Sequence, residues 1–341
     1  MNIKYIAKLS GVSTTTVSRV LNDSPYVSDK TRKKVLKVIE ENDYIPNNIA
    51  RNLHQQFSNK VGVIVADITN EFFSRAINGI SKVMDENGFQ VLFYNTDEDL
   101  KKESKALYSI FEERLSGLII SPVSSRDKNT LEELKKLTVN MNAPVVLLDR
   151  NIEGIDLDAV FVDNGYGSKR AVNALIKEGH KDIAIITGPI TSTPGNYRYR
   201  GYIDALKEND IPIKKEYIVS GDFKISMAYE KTKQLMNLDN PPTAIFLSNN
   251  MTSLGALKYL KEKGYKIGED ISIIGFDEIN SFKAIDFLFS YVGRDAEKQG
   301  EIAAKVLLDR IDKKNKGVEY ETQRIVLDCY LSLNGSEKIK R

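Results

Sequence analysis

The sequence predicts an α/β protein in three parts. A small helical head comes first, a short linking helix follows, and two lobes of doubly wound parallel sheet make up the rest. Three observations predict this. Beyond residue 59, short apolar runs alternate with amphipathic segments. Within the first sixty residues, two short helical patterns flank Gly11. The charge is also unevenly divided: residues 1–60 hold ten Lys and Arg against five Asp and Glu, a net +5, while the other 281 residues carry −3.

The whole chain of 341 residues has 49 Lys and Arg against 47 Asp and Glu, so its net +2 conceals that division. A basic module on a mildly acidic body is a nucleic-acid-binding pattern. The length exceeds what one compact core supports. No apolar run reaches the ~18 residues of a membrane span. Residues 1–10 lack the apolar core of a signal peptide, so a cytoplasmic protein is expected. One cysteine and two histidines exclude a disulfide framework and leave little for metal binding or His-based catalysis. No metal and no cofactor are expected.

In the head (1–45), residues 3–10 place Ile3, Ile6, Ala7 and Ser10 at helical spacing. Gly11 breaks that helix, and Ser13 is a good cap for a second from Thr14 to about Asn22, with Val17, Val20 and Leu21 on one face. Two short helices across a glycine turn describe a helix-turn-helix. Ser28 starts a third, with Thr31, Val35, Val38 and Ile39 inward and Arg32, Lys33, Lys34 and Lys37 outward. Spacing alone also fits a generic three-helix bundle with a solvated basic face. Residues 46–58 read as a brief helix started by a proline, too short to hold alone in water.

The string GVSTTTVSRVLN over 11–22, followed by VSDKTR over 27–32 and YIPN over 44–47, closely resembles the DNA-binding headpiece of the LacI/GalR family of bacterial repressors. The resemblance implies double-stranded, palindromic operator DNA as a partner. In a helix-turn-helix the first residues of the second helix reach base edges in the major groove. Those are Thr14 and Thr15, with Arg19 one turn on and able to bond guanine bidentately. Ser13, Ser18, Asn22, Ser28, Lys30 and Thr31 suit phosphate contacts, which fix register without reading sequence. Tyr26 suits either role, and Ser13 can cap and contact together. Thr16, Asn47 and Ala50 complete the interface the resemblance implies. By the same resemblance, 46–58 is a hinge helix whose Leu53 wedges into the minor groove; the alternative for Leu53 is an ordinary buried residue.

The apolar runs over 61–68, 89–96, 118–123, 145–149, 159–163, 183–189, 243–249 and 271–278 read as strands. Amphipathic segments such as 73–87, 101–114, 168–178, 198–209, 226–237 and 252–263 read as the helices between them, and Gly88, Gly179 and Gly264 close three of these. So many β-α units fit two lobes better than one sheet, with ligands beyond the carboxyl ends of the strands. This pattern is similar to the periplasmic-binding-protein-like sensor of the same family. The resemblance then assigns 60–159 and 292–322 to lobe 1, and 160–289 and 323–331 to lobe 2.

A small sugar-like effector is implied between the lobes. DITNEFF over 67–73 resembles the family segment that puts Asn70, Phe72 and Phe73 at the cleft. Asp149 ends the fourth strand, Arg198 with Gly201 resembles an R-x-x-G effector clamp, and Phe223 resembles the aromatic beneath the ligand. Asn249 and Asp277 close the set. Singly, Asp149 or Asp277 could cap a helix and Phe72 could be core. The chain departs from the family in carrying Asn249-Asn250 in place of Asn-Asp, and Arg294 where a neutral polar residue is usual. With Arg198, Arg200 and Arg150, this makes the cleft cationic and suggests a sugar acid or sugar phosphate.

The end of the chain, 332–341, has no leucine heptad, so a homodimer is favoured over a tetramer. The resemblance implies a repressor of carbohydrate genes in which effector binding repositions the lobes. The sequence holds no signal for or against a protein co-regulator on lobe 1. An α/β enzyme is disfavoured, since phosphate-loop, dinucleotide, HExxH and GxSxG motifs are all missing. A free sugar-binding protein would not need the head.

Overall fold

The computed structural model describes residues 2–21, 24–42, 44 and 59–338. The chain divides into two compact units, Met1–Ser58 and Asn59–Arg341.

In the first unit, α1 (Ile3–Ser10) is capped by Asn2, whose side chain accepts from the Tyr5 N–H, and it stops at Gly11 with φ 60°. That left-handed conformation strains any residue with a Cβ, which is why glycine marks the turn. Then come α2 (Thr14–Leu21) and α3 (Asp29–Glu41). Ile6, Ala7, Val17, Val20, Val35 and Tyr44 form the core of this unit. The expected outer face of α3 needs one correction. Arg32 is half-buried and its Nη2 donates to the Ser24 carbonyl at 2.7 Å, so Lys33, Lys34 and Lys37 make the exposed basic face. The expected linking helix over 46–58 lies outside the described residues.

In the second unit the chain builds one lobe, then another, and returns twice. Lobe 1 begins with β1 (Lys60–Val65), α4 (Glu71–Glu86), β2 (Gln90–Asn95) and α5 (Leu100–Glu112). It continues with β3 (Gly117–Ile120), α6 (Lys128–Asn140), β4 (Val145–Leu148) and β5 (Asp158–Val162). Lobe 2 takes α7 (Asn164–Lys177), β6 (Ile183–Thr187), α8 (Thr193–Glu208), β7 (Ile218–Ser220) and α9 (Ile225–Met236). It also takes β8 (Ala244–Leu247), α10 (Asn250–Glu262), β9 (Ser272–Phe276), α11 (Asn280–Ala284) and β10 (Ser290–Gly293). The chain then re-enters lobe 1 as α12 (Ala296–Lys316) and β11 (Arg324–Leu327), and ends in lobe 2 as β12 (Tyr330–Ser332).

The strand orders are β11-β5-β4-β3-β1-β2 and β12-β10-β9-β8-β6-β7. All pairs are parallel except β12 against β10. Both faces of each sheet are covered, so the central strands read as unbroken apolar runs. In lobe 1, α4 and α12 pack on one face through Phe73, Ile80 and Leu307, and α5 and α6 on the other through Leu107, Ile110 and Leu134. Lobe 2 repeats the plan with α7 and α8 on one face and α9 and α10 on the other. Gly88, Gly179 and Gly264 have φ of 73°, 99° and 79°, as helix-ending glycines do.

The crossings between lobes fall a few residues from the expected boundaries. Residues 160–162 stay in lobe 1 as the end of β5, 290–293 stay in lobe 2 as β10, and 324–327 pair with β5 in lobe 1. The reason is physical: a crossing in mid-strand would orphan backbone N–H and C=O groups, so each crossing waits for the end of its ladder. The strands β7, β10, β11 and β12 had no place in the sequence-based reading.

Candidate functional site

The first unit offers an exposed surface at the start of α2. Ser13 caps the helix, its Oγ accepting from the Thr16 N–H at 3.1 Å and lying 2.9 Å from the Thr16 hydroxyl. That bond occupies Thr16, which is half-buried, as is Ser18. Thr14, Thr15 and Arg19 are exposed, and Thr15 and Arg19 share a helix face four residues apart. Tyr26 is 87% exposed just before α3. Ser28 caps α3, accepting from the Thr31 N–H at 3.4 Å with its Oγ 2.9 Å from the Thr31 hydroxyl. Asn22, Asn47, Ala50 and Leu53 lie outside the described residues.

In the second unit, the carboxyl ends of both sheets meet. Asp149 follows β4 of lobe 1 and Asp277 follows β9 of lobe 2, at φ 65° and 72°. Non-glycine residues in that region carry strain that is characteristic of functional sites. Arg294, just after β10 where the chain crosses between lobes, joins the two aspartates. Its Nη1 donates to Asp149, while its Nε and Nη2 donate to the two oxygens of Asp277 at 2.6 and 3.1 Å. The guanidinium lies 3.5 Å from the centre of the Phe72 ring. Burial opposes the charge on Arg294, but Asp149 and Asp277 outweigh it and raise its pKa above an ordinary arginine's.

Arg198 on α8 reaches the same place. Its Nε donates to Asn164 at 2.8 Å, its Nη1 to the Ser248 carbonyl at 2.6 Å, and Asp277 lies 3.8 Å away. The Phe276 ring lies 3.6 Å below. Its Nη2 is buried with no hydrogen-bond partner among the described residues. Burial, only partly offset by Asp277, pushes its pKa down to about 10. A third arginine, Arg150, stands between Phe73 and Phe223, about 6 Å from each ring centre, and is held by both oxygens of Glu98 at 2.5 and 2.7 Å. Its Nε is likewise unpartnered. Glu103 is fully buried beneath the site, accepts from the Thr130 hydroxyl and the Val123 N–H, and has its pKa raised by burial.

All nine expected cleft residues are thus buried at the meeting of the lobes. Their roles differ from one another. Asn70 caps α4 and accepts across the cleft from Asn250 at 3.0 Å. Asn249 spends its side-chain oxygen on the Thr252 N–H as the cap of α10. Arg200 is exposed beside Tyr197, so it adds no charge to the cleft. Sequence reasoning missed Glu98, Asn164, Asn250 and Phe276. Asn250 was noticed only as a departure, and Arg150 only as a possible charge; its position next to Asp149 at a strand end was the available signal.

The lobes are closed on each other. Ser125 of lobe 1 bonds the Thr191 carbonyl of lobe 2 at 2.9 Å, and Arg75 pairs with Glu278 at 3.3 Å. Beside Arg294, Phe72 and Asp277 there remains a cavity of about 10 Å³, room for a water at most. A groove of about 700 Å³ opens next to Glu98 and Phe223. A buried array of arginines, carboxylates and aromatic faces can orient a polyhydroxylated ring and balance an acidic group. Among the described residues no helix is long and apolar enough to cross a membrane, and no cluster of side chains could hold a metal ion.

Residues 2–47 match the family of bacterial regulatory proteins of the lacI type, and residues 58–327 match the family of periplasmic binding proteins and sugar-binding domains of LacI proteins. The chain is 36% identical over 317 residues to the "Probable HTH-type transcriptional repressor ExuR" of Bacillus subtilis (strain 168), covering 92% of each. It is 31% identical over 338 residues to the HTH-type transcriptional repressor PurR of Pasteurella multocida (strain Pm70), covering 99% of this chain and 98% of that one. Among solved structures, the Lac repressor dimer bound to operator and the anti-inducer ONPF aligns over 98% of each chain with a TM-score of 0.83 and 26% identity. A complex of the transcriptional regulator CelR with cellobiose aligns over 98% of this chain and 99% of that one, with a TM-score of 0.73 and 25% identity.

Proposed function

Because the chain belongs to the LacI family of DNA-binding transcriptional repressors with a sugar-binding domain, we propose that it is a dimeric operator binder controlled by an acidic sugar, either a sugar acid or a sugar phosphate. The observation that carries the acidic effector is the pair of unpartnered arginine nitrogens, Arg198 Nη2 and Arg150 Nε, buried at the meeting of the lobes. A buried N–H without an acceptor costs roughly 1–3 kcal/mol. A carboxylate or phosphate accepting from them would recover that cost and return Arg198 toward its ordinary pKa.

The rest of the site then acts in sequence. The lobes part enough to admit the ring, and Arg294 gives up one aspartate. Asp149 and Asp277 accept from vicinal hydroxyls, and the Phe72 and Phe223 rings set the orientation of the sugar. Because each lobe contributes a carboxylate, ligand binding sets the angle between lobes. Lobe 1 continues directly into the segment that leads to the head, so that angle reaches the DNA-binding surfaces. Each effector would shift operator affinity by about 1–3 kcal/mol. In the head, Thr14, Thr15 and Arg19 read bases, and Ser13, Ser18, Ser28 and Thr31 hold phosphates.

One observation favours a neutral sugar instead. Asp149, Asp277 and Glu98 already equal Arg150, Arg198 and Arg294 in number, with Arg294 bonded to both aspartates and Arg198 sharing Asp277. Electrophoretic mobility shifts with an operator fragment decide whether this cleft is the control site. Arg198→Ala should keep operator affinity and lose the effector's influence. An Arg198→Ala protein that responds like wild type places the control site elsewhere.

A further inference from the structure

We infer that Glu98 is the gate of the cleft: its carboxylate fills the Arg150 fork, and a carboxylate or phosphate arriving from the adjoining groove takes its place. The inference rests on reading the cleft as an acid-binding effector site, and it adds which residue that acid must displace.

The geometry is that of a ligand bound in cis. Arg150 is 3% exposed and cannot be left without a counter-charge. Glu98 supplies it through two parallel bonds, Nη1 to Oε2 at 2.7 Å and Nη2 to Oε1 at 2.5 Å. This is the fork-on-carboxylate arrangement by which arginine recognises free acids and phosphates. Glu98 belongs to the loop after β2, fifty-two residues away in sequence. The pair therefore joins a surface loop to the floor of the site.

Two further observations make Glu98 a gate and not a fixed strut. It lines the groove of about 700 Å³ together with Phe223, Tyr229 and Met251, whereas Arg150 does not. It therefore stands between open space and the buried guanidinium. Its backbone is also strained, since Asp97 and Glu98 are consecutive non-glycine residues at φ 53° and 55°. A loop held in that conformation gains by relaxing when its carboxylate is displaced. Lys224 and Lys258 line the same groove beside Asp67, Asp97, Glu230 and Glu262.

The test uses full-length protein and removes the internal carboxylate. Glu98→Ala leaves a carboxylate-sized space against the fork. Sodium formate should raise the melting temperature of Glu98→Ala saturably and have no saturable effect on wild type. In calorimetry, galacturonate and glucose 6-phosphate should bind the variant about tenfold or more tightly than wild type, with glucose binding both alike. Glu98→Gln, which keeps the shape without the charge, serves the calorimetric comparison of acidic and neutral sugars if the alanine variant does not fold. Absence of a saturable formate response in the variant overturns the gate. Acidic sugars binding wild type as tightly as the variant overturn it too, and leave the acidic-effector reading standing. A formate response of the variant alone, with only neutral sugars acting on wild type, makes Glu98 a fixed counter-charge and overturns both the gate and the acidic-effector reading.

Discussion

Arg294 does the most at the scale of single residues, because it holds one aspartate from each lobe. Replacing it with Gln removes the cation that bonds both buried carboxylates and leaves Asp277 with Arg198 at 3.8 Å. Breaking a buried pair in this way costs about 3–5 kcal/mol, so Arg294→Gln should lower the urea midpoint of the second unit by a corresponding amount. An unchanged midpoint would mean the pair adds nothing to the closed form. On the head, Arg19→Ala should weaken operator binding by roughly 1–3 kcal/mol and relax preference at one base pair, checked with a set of single-base operator variants. His180 gives a pH prediction. Burial lowers its pKa below the ordinary ~6.5. As pH falls below that value the unfolded chain binds the proton first, so stability is lost toward pH 5. His180→Gln should flatten that part of the profile. Asp149 and Asp277 were legible in the sequence because strand ends in such sheets face the ligand. Asn249 and Asn250 could not be told apart: they are adjacent at a helix start, and only the backbone decides which caps and which reaches across. Glu98 gave no local sign because its partner is remote in sequence.

Among the elements, the crossing of α4 with α12 is the tightest. A Cβ on Gly79 would lie 2.1 Å from the Glu297 carbonyl oxygen, and one on Gly300 would lie 2.0 Å from that of Ala76. Backbone atoms cannot move aside as a flexible side chain can. Gly79→Ala should therefore cost about 1–3 kcal/mol or more by overpacking, read from thermal unfolding. This packing also fixes where the chain re-enters lobe 1, and so the position of Arg294 one residue before the cap of α12. The alternation of apolar runs and amphipathic segments was enough to predict eight strands and most helices. The edge strands β7, β11 and β12 escaped because they are three or four residues long and partly exposed, too short for periodicity to register. β10 escaped for a different reason. It is fully buried, but its four residues follow an irregular aromatic stretch that masks where the strand begins.

For the whole molecule, the overall charge of +2 hides +5 on residues 1–60 and −3 on the other 281. Operator affinity should fall steeply with salt, as counterion release from several phosphate contacts requires. A flat salt profile would speak against a head that binds DNA through its basic face. The scarcity of Cys and His fits a protein that binds and switches without bond chemistry. The claim joining all of this is that an acidic sugar, held by Arg150, Arg198 and Arg294 between the lobes, governs the protein. Calorimetric titration of the purified protein with matched neutral, carboxylated and phosphorylated sugars tests that claim most directly. An acidic sugar should bind, its neutral counterpart should bind far more weakly, and Arg198→Ala should abolish the difference. Tight binding of neutral sugars alone would contradict it.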